Sequence, residues 1–118
     1  MDIDGTNLSM IRGDSESFTV SMATDATPAV PIPFVTGDTA TLTVKTKIDG
    51  TEILQKVVTV FTDGKAVFEF DPTDTETLKS KSYVYDVEYR TAAGRVKTII
   101  ETSGFELRGD VTTPEVTA

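Results

Sequence analysis

The sequence predicts an all-β fold, a sandwich or barrel of about seven strands. Apolar and polar residues alternate with a period of two in several stretches, as in half-buried antiparallel strands. Turn dipeptides separate these stretches at short intervals, and there is no long helical pattern. With 118 residues, the chain is long enough for one core. We therefore expect one domain over 1–112 and a tail over 113–118.

Two strands are expected in the first part of the chain, near 6–12 and 16–23. In the second, Phe18, Val20 and Met22 share one face. The stretch 24–38 holds three of the five prolines. We expect it to be an irregular connection, because proline cannot donate a ladder hydrogen bond.

The next two strands are expected near 39–48 and 53–61, joined by a hairpin turn at Asp49-Gly50. The first has one apolar face, formed by Ala40, Leu42, Val44 and Ile48. The second carries apolar residues on both faces. Either it is covered on both sides, or it lies at a sheet edge that a partner covers.

A fifth strand near 65–71 follows the turn dipeptide Asp63-Gly64, and a sixth is expected near 82–91. Their apolar faces are Ala66, Phe68 and Phe70 in the fifth strand, and Tyr83, Tyr85, Val87 and Tyr89 in the sixth. If exposed, the three tyrosines can stack on sugars. Their shared phase with Val87 favours burial instead.

The seventh strand is expected near 95–108, after a short loop that ends in Gly94. Its apolar phase shifts between its first half and its second half, where Phe105 and Leu107 take over. Such a shift predicts a β-bulge, which we place at Ser103-Gly104.

One short helical turn is expected over 71–79, between the fifth and sixth strands. Asp71 is the N-cap candidate, Pro72 would take the first helical position, and Asp74 can reach back from the third. A calcium site formed by Asp71, Asp74 and Glu76 is the alternative. Tyr83, which follows this crossover, resembles the tyrosine corner of Greek-key sandwiches.

The composition limits the function. A net charge of −8 argues against binding to nucleic acid or to anionic membranes. The sequence contains no run of eighteen apolar residues, so it predicts no membrane span. Its polar, acidic N-terminus does not match a signal peptide. If the protein works outside a cell, we expect a larger particle to carry it there.

The absence of cysteine and histidine restricts the chemistry. It excludes disulfides, Ser-His-Asp and Cys-His catalysis, and zinc sites built on imidazole or thiolate. Asp86 and Glu88 are candidates for a glycosidase pair, but a solvated strand surface is the simpler interpretation. The segment 79–82 places serine beside lysine, and an ordinary loop is the simpler interpretation there. We expect no enzymatic activity, catalytic residues, metal or cofactor.

The tripeptide Arg-Gly-Asp, known as a cell-adhesion signal, occurs at 12–14 and again at 108–110. If the first strand runs parallel to the last, both turns lie at one pole, beside the connections that follow the third and fifth strands. Arg12 can then face Asp110, and Arg108 can face Asp14, in exposed pairs worth under ~1 kcal/mol each. Ordinary turn chemistry at this pole is our prediction. The alternatives are integrin-like adhesion and another binding role, for which the candidate interaction pole is Arg12, Asp14, Arg108 and Asp110.

The order of these motifs resembles the small immunoglobulin-like structural proteins of tailed phages and prophages of Gram-positive bacteria, in particular the N-terminal domain of baseplate upper proteins. The likeness spans about residues 7 to 112. It is carried by Gly13-Asp14, Asp49-Gly50, Asp71 through Leu78, Tyr83, Tyr85, Asp86, Gly94 and Phe105.

This resemblance implies an immunoglobulin-like antiparallel β-sandwich and a non-enzymatic tail or baseplate role in the virion. The expected partners are further copies of the chain and neighbouring tail or baseplate proteins, without nucleic acid or membrane insertion. Baseplate upper proteins continue into long C-terminal regions, whereas this sequence stops at Ala118, so we expect a free-standing module or an isolated domain. The alternative function is a carbohydrate-binding or host-adhesion module on the virion surface.

Overall fold

The computed structural model describes residues 1–24 and 27–109, which form an all-β fold with one short helix. Among these residues, no helix is long and apolar enough to cross a membrane. The elements are β1 Asp2–Asp4, β2 Asn7–Ile11, β3 Glu16–Val20, β4 Met22–Ala23, β5 Pro31–Ile32, β6 Thr39–Lys45, β7 Glu52–Val58, β8 Ala66–Phe70, α1 Pro72–Thr75, β9 Lys81–Arg90 and β10 Val96–Arg108.

Most of the strands form one six-stranded sheet in the order β1-β2-β10-β9-β6-β7. Adjacent strands of this sheet are antiparallel, except that β2 and β10 are parallel, with Leu8 opposite Phe105 and Met10 opposite Leu107. Strands β3 and β8 form a separate antiparallel pair, and β4 and β5 form a short third one. The strand order places β7 at one edge of the large sheet and β1 at the other.

The β3–β8 pair packs over one face of the large sheet. Aromatic rings join the two layers: Phe18 lies edge-on to Tyr85 with ring centroids 6.2 Å apart, and Phe70 contacts Phe105 at 6.0 Å. The predicted inward faces are confirmed for three strands, since Ala40, Leu42, Val44, Ala66, Phe68, Phe70, Tyr83, Tyr85 and Val87 are all buried. Period-two alternation therefore identified the centre of the core.

The predicted turns are also present. Asp63 and Gly64 have φ of 51° and 72°, and Thr62 and Lys65 exchange two backbone hydrogen bonds around them. Positive φ at both central residues marks a type I′ hairpin turn, which Asp-Gly favours. Asp49 likewise has φ of 62°.

Several predicted boundaries were wrong. The described residues contain ten strands rather than seven, because the chain begins with the hairpin β1–β2 and because β4 and β5 pair at the two ends of the proline-rich connection. Ile48 lies beyond the end of β6 and is 65% exposed. The helix is shorter than 71–79, and the proposed tail 113–118 lies outside the described residues.

The bulge in β10 is not at Ser103-Gly104. Both residues pair regularly with β9, Ser103 opposite Tyr85 and Gly104 opposite Val84. The register instead shifts twice before them, between Thr98 and Ile100 and between Ile100 and Ser103. Two adjacent isoleucines hide the first shift, because they look apolar in either phase.

Candidate interaction pole and open sheet edges

The two Arg-Gly-Asp tripeptides begin side by side, as the parallel β2–β10 pairing requires. The amide of Arg12 donates a hydrogen bond of 2.8 Å to the carbonyl of Arg108. The two segments therefore reach the same end of the sheet, as far as Gly109, where the described residues end. Asp110, and with it the predicted Arg12–Asp110 pair, lies outside them.

The ion pair found for Arg108 differs from the predicted one. Its guanidinium donates to Asp2 Oδ2 at 2.7 Å rather than to Asp14. The hairpin β1–β2, which the sequence did not reveal, brings Asp2 beside the end of β10. Both side chains are well exposed, so the pair is worth under ~1 kcal/mol.

The first tripeptide is tied to the helical turn. Gly13 has φ of 83°, which favours glycine, and its amide donates to Thr75 Oγ1 at 2.8 Å. The Thr75 side chain is fully buried. Arg12 is half-buried and its Nη1 lies 3.4 Å from the carbonyl oxygen of Leu78. These contacts favour an ordinary structural turn over an adhesion loop, in which the side chains would be exposed to solvent.

Helix capping accounts for two acidic residues of the turn, the N-cap Asp71 and Asp74 at the third helical position. Asp74 Oδ2 accepts the amide of Asp71 at 2.7 Å and also lies 2.7 Å from Lys56 Nζ on β7. Pro72 occupies the first helical position, as predicted. In residues 1–24 and 27–109, no group of three acidic side chains is placed to hold a metal ion. The lysine partner was missed because nothing in the sequence links β7 to this turn.

The tyrosines of β9 are structural. The Tyr83 hydroxyl donates to the carbonyl of Lys79 at 2.7 Å, and the Tyr85 hydroxyl donates to that of Thr6. Burial raises the pKa of Tyr85 to about 12. Tyr89 donates to Asp38 Oδ2 at 3.2 Å. Its pKa is raised by desolvation and by that carboxylate. Tyr83 and Tyr85 therefore offer no exposed ring to a sugar.

Asp86 and Glu88 lie on the outer face of β9, half-buried among strand neighbours. A shallow groove on this face is lined by Asp86 together with Thr43, Lys45, Asp49 and Thr102 among others, but not by Glu88. The groove thus does not bring the two proposed carboxylates together.

The buried carboxylate of Asp38 was missed at the sequence level. It is 3% exposed and accepts the Val35 amide at 2.9 Å as well as the Tyr89 hydroxyl. Nearby, Phe34 stacks on Phe61 with centroids 4.7 Å apart. The proline-rich connection is therefore packed against β9 at its end. An aspartate after Thr-Gly is an ordinary loop signal, so the sequence did not predict that this carboxylate is buried.

Strand β7 is an open sheet edge. Of the described strands, only β6 pairs with it, so alternate N–H and C=O groups of β7 point away from the sheet. Its exposed apolar residues continue past its end: Val57 is 55% and Val60 is 84% exposed, and Val35 beside Val60 is 56% exposed. Of the two alternatives left open for this segment, the strand order favours the sheet edge.

The first half of β10 is a second open edge. Strand β2 covers only Phe105–Arg108, and within the described residues the stretch from Val96 to Gly104 pairs with β9 alone. Both register shifts of β10 fall in this stretch. Bulges twist an edge and hinder the addition of a further strand.

We compared the chain with protein families, curated proteins and solved structures, and none of them matches it.

Proposed function

We propose that this chain is a non-enzymatic structural module with an immunoglobulin-like sandwich, acting through protein–protein contacts in the tail or baseplate of a phage virion. Three features support the sandwich. The chain crosses between the two layers from β2 to β3, from β7 to β8 and from β8 to β9. The first long strand runs parallel to the last, and the Tyr83 hydroxyl donates back to the Lys79 carbonyl, as in a tyrosine corner.

The open edge of β7 is the observation that carries a contact role. Natural sheets usually blunt their edges with prolines, bulges or charged side chains. From Leu54 to Val60, Lys56 is the one charged residue and there is no proline. Its ammonium is already paired with Asp74. The last part of β7 is therefore left apolar and accessible.

The assignment to a virion follows from the order of sequence motifs, which resembles small phage structural proteins. Symmetric assembly suits a module of this kind, because repeated weak contacts add up to a stable particle. A net charge of −8 favours neighbours that are neutral or basic where they touch.

Sedimentation of the purified protein tests this proposal. We expect self-association that grows with concentration, co-sedimentation with tail or baseplate proteins encoded beside it, or both. A monomer at every concentration that binds none of those proteins would overturn the proposal. A glycan array tests the carbohydrate-binding alternative, and specific binding to a glycan would favour that function instead.

A further inference from the structure

We propose that the occupant of the β7 edge is a second copy of this chain, paired antiparallel with Val57 opposite Val57 of its partner. The inference rests on the proposed function and deepens it, because it names the partner and the register of contact. It follows from three properties of β7: the direction of its backbone groups, the position of its bulge and its charge pattern.

The backbone direction can be derived from the end of the β6–β7 ladder. The amide of Thr46 donates to the carbonyl of Thr51 at 3.0 Å, so every second residue before Thr46 also directs its amide towards β7. Leu42 is one of them and lies opposite Lys56. Lys56 thus bonds to β6, whereas Gln55 and Val57 point their N–H and C=O groups away from the sheet.

The bulge confines pairing to the second half of β7. Val44 lies opposite Leu54 and Lys45 lies opposite Glu52, which leaves Ile53 as the extra residue. Beyond it, Leu54 to Val58 pair regularly with β6. A new strand can therefore follow the edge from Gln55 onwards, but not across Ile53.

Charge then selects the register. Centring the pair on Lys56 would set two lysines directly opposite each other, which is destabilising. Centring it on Gln55 would set Val57 opposite the bulged Ile53. Centring it on Val57 sets Gln55 opposite Thr59 and joins the two exposed valines, so that of these three registers only this one avoids both defects.

The net charge of the chain makes pairing between two copies depend on the ionic strength. Two chains of charge −8 repel each other, but the segment from Gln55 to Val60 carries one charged residue, Lys56, which is paired with Asp74. Salt screens this repulsion, with a Debye length of about 10 Å at 0.1 M. We therefore expect a weak dimer that tightens as the ionic strength rises.

Single-cysteine cross-linking tests the register, since the natural chain has no cysteine. Directly opposed residues of a hydrogen-bonded pair lie about 5.5 Å apart, within reach of a disulfide. We expect V57C to form disulfide dimers roughly tenfold faster than Q55C under mild oxidation. The matched control is V96C, at a similarly exposed valine on the open stretch of β10. Faster cross-linking of Q55C or V96C, or no reaction above that of unfolded protein, would overturn the inference.

A charge substitution gives an independent readout. V57K places two like charges opposite each other, and we expect the dissociation constant of the dimer to rise by about tenfold or more. V96K makes the same change at a similarly exposed valine on β10, and we expect it to leave the dimer unchanged. Equal effects of the two variants would contradict the inference. Its failure leaves the proposed function standing if the chain still co-sediments with tail proteins.

Discussion

Replacing Asp74 with alanine tests the role of the helical turn. This one carboxylate caps the Asp71 amide and pairs with Lys56, both at 2.7 Å. It therefore joins α1 to the edge strand β7. The substitution removes both interactions without reaching the central core.

The expected loss of stability can be estimated from these two contacts. Asp74 is the third residue of the capping box, and losing its hydrogen bond to the amide of the N-cap Asp71 costs about 1 kcal/mol. The ion pair is partly buried, with the Asp74 and Lys56 side chains 17% and 23% exposed, and we assign it about 1 kcal/mol, the upper end for surface pairs. D74A should therefore lower the free energy of unfolding by about 2 kcal/mol, and K56M by about half as much.

Urea unfolding followed by circular dichroism measures these values. D74N, which keeps the shape and one acceptor oxygen, should lose about 1 kcal/mol. Calcium and EDTA should leave the unfolding midpoint of the natural chain unchanged, because Asp74 is already occupied by protein groups. A D74A variant within about 0.5 kcal/mol of the natural chain would refute the stabilising role of Asp74. Calcium that stabilises the natural chain and not D74A would refute it as well.

Three further predictions concern the pole and the core. T75V should lower the free energy of unfolding by about 1–2 kcal/mol and speed amide exchange at Gly13, because it removes the hydroxyl that accepts the Gly13 amide. T75S keeps this hydroxyl and should not speed the exchange. Unchanged exchange at Gly13 in T75V would contradict the hydrogen bond. The pKa of Tyr85 is about 12 in the folded chain and near 10 in the unfolded chain. The unfolded chain therefore loses this proton first as the pH rises. The free energy of unfolding should fall between pH 10 and 12. Alkaline unfolding should be shallower in Y85F, and an identical pH profile would contradict this. F68A should cost about 4 kcal/mol by urea unfolding, because Phe68 is fully buried; a cost below about 1 kcal/mol would place it outside the core.

The sequence predicted those parts of the fold whose signal is local. Alternation marked Leu42 and Phe68 as core residues, and Asp63-Gly64 marked the tight turn that precedes β8. Strand β1 gave no such signal, because its three residues are exposed and two of them are acidic. Missing β1 led directly to the wrong partner for Arg108, whose neighbour Asp2 lies on that strand.

The candidate site was predicted in its position but not in its contacts. The parallel arrangement of first and last strands brought Arg12 beside Arg108, as expected. Lys56 and Asp74 are far apart in the sequence, and only the packing of β7 against the helical turn joins them. The openness of β7 was visible as an apolar pattern on both faces, whereas the bulge at Ile53 depends on pairing with β6.

Amide hydrogen exchange at several protein concentrations tests most directly whether β7 is the contact surface. We expect exchange at Gln55 and Val57 to slow as concentration rises, while exchange at Val87 in β9, which is paired on both sides, stays constant. Exchange at Gln55 and Val57 that is independent of concentration and of added tail proteins would contradict it.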